Sequence, residues 1–211
     1  MPNLQTLHGL PRTVSVLWAF ALSVVLSFAV VGRAVAHPHV WIYTSVSVPV
    51  VNQKIDRIHT KWNFDEMYGA SLIAEADEDA SGKLEPYEVQ KLFATTLANT
   101  AEILPFMYFN IGGKKVDSVK FENFKAWIDD DGSLFYSFDA MLPESYDAVG
   151  KHKIGFFDPT QYMAFEQDLN ITFTGEGASM CTSELETEES ISLSFNLAHP
   201  EIYTVVCSAK K

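Results

Sequence analysis

Between Val40 and Val50 the chain alternates. Val40, Ile42, Thr44, Val46, Val48 and Val50 take one parity, and Trp41, Tyr43, Ser45 and Ser47 take the other. A period of two is the signature of a half-buried strand. The even positions form its core face, and His37 and His39 share the face of Trp41 and Tyr43. Residues 55–64 repeat the pattern, with Ile58, Thr60, Trp62 and Phe64 on one side. A turn over Asn52-Gln53-Lys54 joins the two strands as a hairpin. Matching their core faces sets Val48 against Ile58 and Ile42 against Phe64. That register puts Asp65 opposite Trp41, one diagonal from His39. It puts His59 opposite Ser47, about 26 Å from His39 at the rise of a strand, as an ordinary solvated strand histidine.

The period then changes. Residues 65–76 carry a small-residue stripe (Met67, Ala70, Ser71, Ala74) at helical spacing, and Val89, Leu92, Phe93 and Leu97 form the apolar face of a second helix. From residue 106 onward the pattern returns to strands: Phe106–Ile111, Lys114–Val116, 119–128, 133–142, Lys153–Phe157, Leu169–Thr174, Ile191–Leu197 and Tyr203–Cys207. Gly112-Gly113 and Asp131-Gly132 mark hairpin turns between them. The polar stretch Glu176–Ser190 reads as a solvated loop, and Tyr162-Met163 as core and turn. The expected class is α+β, mostly antiparallel β and sandwich-like, with a helix–loop–helix inserted at about 65–99.

The N-terminus has its own pattern. Arg12 precedes an apolar run from Val14 to Val31, and Ala34-Val35-Ala36 closes it with the small-x-small form of a cleavage site. This layout predicts a signal peptide over residues 1–36 and a single β-rich domain over 37–211. An uncleaved membrane anchor is the alternative. The formal charge is −12, and removing residues 1–36 deletes Arg12 and Arg33 and no acid, so the mature charge is −12 − 2 = −14. Such a surface disfavours nucleic acid and anionic membrane and suits cations. Cys181 and Cys207 are an even pair, which in an exported chain reads as a disulfide.

Two groups of residues carry candidate chemistry. Cleavage after Ala36 would leave His37 as the first residue, its amine and imidazole able to chelate one ion. Pro38 has no backbone N–H, so the usual wrap of amine, two deprotonated amides and imidazole is blocked. The donors are then His37 and the His39 imidazole, with Asp65 as a third partner. Imidazoles suit Cu2+, Zn2+ or Ni2+. His152 and His199 are possible distant ligands, although each is more often structural. The second group is Asp77-Glu78-Asp79-Ala80-Ser81-Gly82-Lys83-Leu84-Glu85-Pro86-Tyr87-Glu88, an EF-hand calcium loop. Asp77, Asp79 and Ser81 fill positions 1, 3 and 5. Gly82 turns the chain, Lys83 offers its carbonyl, Glu85 acts at 9, and Glu88 at 12 can bind Ca2+ bidentately. No nucleophile–base arrangement is recognisable, so an enzyme is not expected.

Several of these residues together resemble a known family. Ala36-His37-Pro38-His39-Val40-Trp41-Ile42, the run Trp62-Asn63-Phe64-Asp65-Glu66-x-Tyr68, the Asp77–Glu88 loop and Asp158-Pro159-x-x-Tyr162 look like the exported family catalogued as domain of unknown function 1007. Its members are commonly described as periplasmic components of an ABC-type transport system and are often associated with nickel/cobalt-type permeases. The resemblance implies a periplasmic protein that binds a divalent transition metal and works with a membrane permease or ABC-type transporter. Two other functions remain open: a calcium-stabilised structural or interaction module, and a copper-dependent oxidative enzyme built on an N-terminal histidine.

Overall fold

The β1–β2 hairpin organises the first sheet. In the computed structural model, which describes residues 39–98, 106–193 and 198–209, β1 (Val40–Pro49) pairs antiparallel with β2 (Lys54–Phe64). Ile42 lies opposite Phe64 and Ser47 opposite His59, the register that the hydrophobic pattern predicts. The turn is tighter than expected. Asn52 and Gln53 alone reverse the chain, both in the left-handed region (φ 51° and 57°), with Val51 bridging Lys54. Two such residues match the right-handed twist of the flanking strands.

Two helices lie between β2 and β3 as expected, but the first buries Gly69 and Ala76, and its stripe of Met67, Ala70, Ser71 and Ala74 faces outward. α1 spans Glu66–Ala76 and α2 spans Pro86–Phe93, which begins on the proline whose missing N–H costs nothing there. The chain after α2 widens into a π-helical turn, Ala94–Ala98. The remaining strands are β3 (Met107–Ile111), β4 (Lys114–Lys115), β5 (Lys120–Ile128), β6 (Leu134–Asp147), β7 (Gly150–Phe156), β8 (Met163–Gln167), β9 (Thr172–Thr174), β10 (Cys181–Thr187) and β11 (Glu201–Cys207). They form two sheets. One has the order β5-β6-β2-β1-β8, with β9 also on β1; the other has β10-β11-β7-β3-β4. Val40, Ile42, Ile58, Phe64 and Phe138 from the first sheet and Phe109, Ile154, Phe156, Tyr203 and Val205 from the second belong to one buried core.

Three local findings differ from the sequence expectation. First, β8 and β9 run parallel to β1, so the first sheet is mixed. Met163–Gln167 is only half-buried, which blurs its alternation. Second, Glu176–Ser190 is not all loop. It contains β10, paired along its length with β11. As an edge strand β10 buries Cys181 alone and turns Thr182, Glu184 and Glu186 outward, which gives it the composition of a loop. Third, the described part of the expected strand Ile191–Leu197 is a turn with one isolated bridge, Leu193 to Ala198; residues 194–197 lie outside the described residues. The expected disulfide is present, joining Cys181 and Cys207 where β10 and β11 place them directly opposite.

Irregularities in β5 and β6 feed the helix side of the core. The β5–β6 register shifts between Glu122 and Lys125, with Asn123 at φ 54°. This bulge turns Phe124 toward Tyr136 and Phe93, at ring separations of 5.2 and 5.4 Å, and so ties α2 to the sheet. Within the core, the Thr60 hydroxyl is fully buried and has no hydrogen-bond partner among the described residues. Thr60→Val keeps the volume and removes that desolvated hydroxyl. It should raise stability by about 1 kcal/mol, read as a higher denaturant midpoint at unchanged slope; an unchanged or lower midpoint would contradict this account.

Candidate functional site

His39 lies at the entry to β1. Its backbone N–H donates to the Tyr162 carbonyl at 2.9 Å, and its ring lies 5.1 Å from the Tyr162 ring. A compact knot holds Tyr162 there. Asp158, almost fully buried, accepts at Oδ1 from both the N–H and the hydroxyl of Thr160 (2.8 Å each) and at Oδ2 from the Met163 N–H (3.0 Å). Gln161 turns the chain between them at φ 60°. The Asp-Pro-x-x-Tyr run is therefore a device that presents Tyr162 to His39.

Asp65 positions the opposite wall. It lies beside Trp41, as the hairpin register requires: its N–H donates to the Trp41 carbonyl, and its Oδ2 accepts from the Trp41 N–H, both at 2.9 Å. Its Oδ1 accepts from the Tyr68 N–H at 2.9 Å, capping α1. Both carboxylate oxygens are thus engaged by backbone amides. The cap aims the first turn of α1 at His39, and the result is an open cavity of about 350 Å³ lined by His39, Val40, Met67, Tyr68, Ser71 and Tyr162. Burial, then the neighbouring Tyr162 phenol, push the Tyr68 hydroxyl above its ordinary pKa. His37 and Pro38 lie outside the described residues. Of the residues the sequence singled out, His39 lines the cavity, whereas Asp65 lies outside its lining with its carboxylate on backbone amides; Met67, Tyr68 and Tyr162 were not read as cavity walls. The available signal was that Tyr68 and Tyr162 both belong to the runs that carry the family resemblance.

The second cluster lies at the far end of α1. Asp77, Asp79, Glu85 and Glu88 each bring a carboxylate oxygen within 4.8 Å of the others. Asp77 closes α1 with its N–H on the Ile73 carbonyl, and its side chain accepts from the N–H groups of Ser81 (2.9 Å) and Gly82 (2.8 Å). Gly82 stands at φ 77°, a left-handed conformation that favours glycine. The Ser81 hydroxyl donates to the Lys83 carbonyl and to Glu85, both at 3.1 Å. Glu88 is buried and reaches back into the loop. It accepts from the Glu78 N–H at 2.7 Å, the Glu85 N–H at 2.9 Å and the Tyr87 hydroxyl at 3.0 Å. Burial alone would push its carboxyl up. Hydrogen bonds from Glu85, the two amides and Tyr87 outweigh burial and hold it at about 2, while the shared hydrogen bond with Glu88 pushes Glu85 up. One carboxylate is thus favoured in its charged form against its neighbour.

The other histidines are structural or separate. His152 is buried, accepts from the Gly112 N–H at Nδ1 (2.9 Å) and so donates from Nε2 to the Ala148 carbonyl (2.7 Å); both ring nitrogens are used. His199 holds the Ile191 carbonyl at 2.8 Å, with Glu189 3.4 Å from its other nitrogen. His59 sits opposite Ser47 as expected. It is not simply solvated: its Nδ1 lies 2.7 Å from Asp139, whose other oxygen accepts from Asn123 at 2.7 Å.

The chain is thus a mostly β, two-sheet domain with a disulfide, a helix–loop–helix bearing an acidic cluster, and a His/Tyr/Met cavity at the mouth of β1. Among the described residues no helix is long and apolar enough to cross a membrane. It belongs to the family described as protein of unknown function DUF1007, whose model matches residues 22–196. No curated protein matches the chain.

Proposed function

We propose that this is an exported, periplasmic metal-binding protein in which His37 and His39 take up a transition-metal ion from the set copper, zinc and nickel. One observation carries the reading: three runs far apart in sequence, entering at His39, Asp65–Tyr68 and Asp158–Tyr162, meet around one cavity. The resemblance to transport-associated proteins supports a membrane permease or ABC-type transporter as the partner that gives or receives the ion. Asp65 acts here as a positioning residue, since backbone amides occupy its carboxylate. The Asp77–Glu88 loop is an EF-hand that takes Ca2+ through Asp77, Asp79, Ser81, the Lys83 carbonyl, Glu85 and Glu88. A disulfide-bonded, acidic chain with an apolar leader fits an oxidising compartment outside the cytoplasm.

α1 links the two sites, because the helix capped by Asp65 at the cavity ends on Asp77 in the loop. Calcium should therefore change transition-metal affinity by roughly fivefold or more, the ordinary range of coupling between sites. The test is titration of copper, zinc and nickel into the mature protein, its N-terminus verified by mass spectrometry, with and without Ca2+. Identical affinities would reject the coupling. His37→Ala/His39→Ala protein that keeps wild-type affinity would reject the metal site and leave a calcium-stabilised module.

A further inference from the structure

Met67 is 77 % exposed and lines the same cavity as His39. It stands in the first turn of α1, where the Asp65 cap fixes the backbone. An exposed, flexible thioether contributes nothing to a core, but it is a soft donor. Across the cavity is an imidazole, with the Tyr68 and Tyr162 rings as walls. Zinc and nickel favour imidazole and harder oxygen donors. A thioether beside an imidazole selects copper in its reduced, monovalent form. We propose that Met67 is a ligand of the site and that the ion the site is built for is Cu(I), bound by the His39 imidazole and the Met67 sulfur. The inference rests on the metal reading of His39 and sharpens it from a set of three metals to one oxidation state of one of them.

The two walls make the pairing specific. Asp65 sets where α1 starts, so it sets the backbone from which Met67 projects. Asp158 sets where Tyr162 stands, and the Tyr162 carbonyl pins the backbone of His39. The backbones that carry the two ligands are thus fixed by separate hydrogen-bonded knots, and the side chains of His39 and Met67 adjust to the ion.

The test uses the mature protein and the isosteric variant Met67→Leu, whose exposed position predicts an unchanged melting temperature. Cu(I) is supplied anaerobically from a coloured bicinchoninate complex. Zn(II) and Ni(II) are titrated against an indicator. The expected result is a loss of about tenfold or more in Cu(I) affinity for Met67→Leu, with Zn(II) and Ni(II) unchanged. Copper X-ray absorption should show a sulfur neighbour in the wild type that disappears in the variant. Unchanged Cu(I) affinity in Met67→Leu, or no sulfur neighbour in the wild type, overturns the role of Met67 while leaving the histidine site standing. A wild-type protein that captures none of the three ions overturns the site itself, and this inference with it.

Discussion

Glu88→Gln protein should lose Ca2+ binding, with affinity falling about 100-fold or more by calorimetric titration. The expectation comes from geometry and charge together. Glu88 is buried at the start of α2, and each of its oxygens already faces backbone donors, from Glu78 on one side and Glu85 on the other. One of its oxygens lies within 4.8 Å of a carboxylate oxygen from each of Asp77, Asp79 and Glu85, so the amides hold the side chain where a remaining lone pair can reach an ion among them. Glutamine keeps the shape but removes one negative charge. It also turns an NH2 group toward a backbone N–H, so donor meets donor. Asp77, Asp79 and Glu85 would then be the remaining carboxylates facing the ion. An affinity within a few-fold of wild type would mean that the loop does not use Glu88 as a ligand, and the EF-hand reading would fail with it.

The second large effect concerns the disulfide. Reducing Cys181–Cys207, or substituting both by Ser, should cost about 3 kcal/mol through the freed chain entropy of the loop that the bond closes. For a domain of this size that corresponds to a fall of roughly 6–12 °C in melting temperature. The damage should be local first. Among the described residues β10 is an edge strand whose one strand partner is β11, and the bond clamps the end of that ladder. Amide exchange in the reduced protein should therefore accelerate in Cys181–Thr187 before it does in β7 or β3. Equal melting temperatures with and without reductant would show that the β10–β11 ladder needs no clamp.

What the sequence revealed and what it hid follow one physical distinction. Where one face of a strand is buried and the other is wet, a period of two fixes the register, and the β1–β2 pairing follows from Ile42, Val48, Ile58 and Phe64 alone. That Asp77, Asp79, Glu85 and Glu88 meet in space was legible because the chain between them turns locally, at Gly82. The cavity was half legible: the register placed Asp65 beside Trp41, but it cannot say that the carboxylate would be spent on amides. β8 and β10 were hidden because edge strands bury little: no residue of Met163–Gln167 is fully buried, and the inward parity of Cys181–Thr187 is Cys181, Ser183 and Leu185 with only Cys181 buried, so neither carries a strong hydrophobic signal. The Asn123–Asp139–His59 row was hidden because it depends on a bulge that moves Asn123 out of phase with its neighbours.

That same irregularity has a bearing on how the molecule tolerates crowding. β5 is broken by the Asn123 bulge. The opposite margin of its sheet is split between β8 and β9, β4 is two lysines long, and β10 presents glutamates. Among the described residues, neither sheet offers a long, straight, uncharged border onto which another copy could add a strand. Concentrating the protein should therefore leave it free of fibrous polymers, checked by light scattering and an amyloid dye.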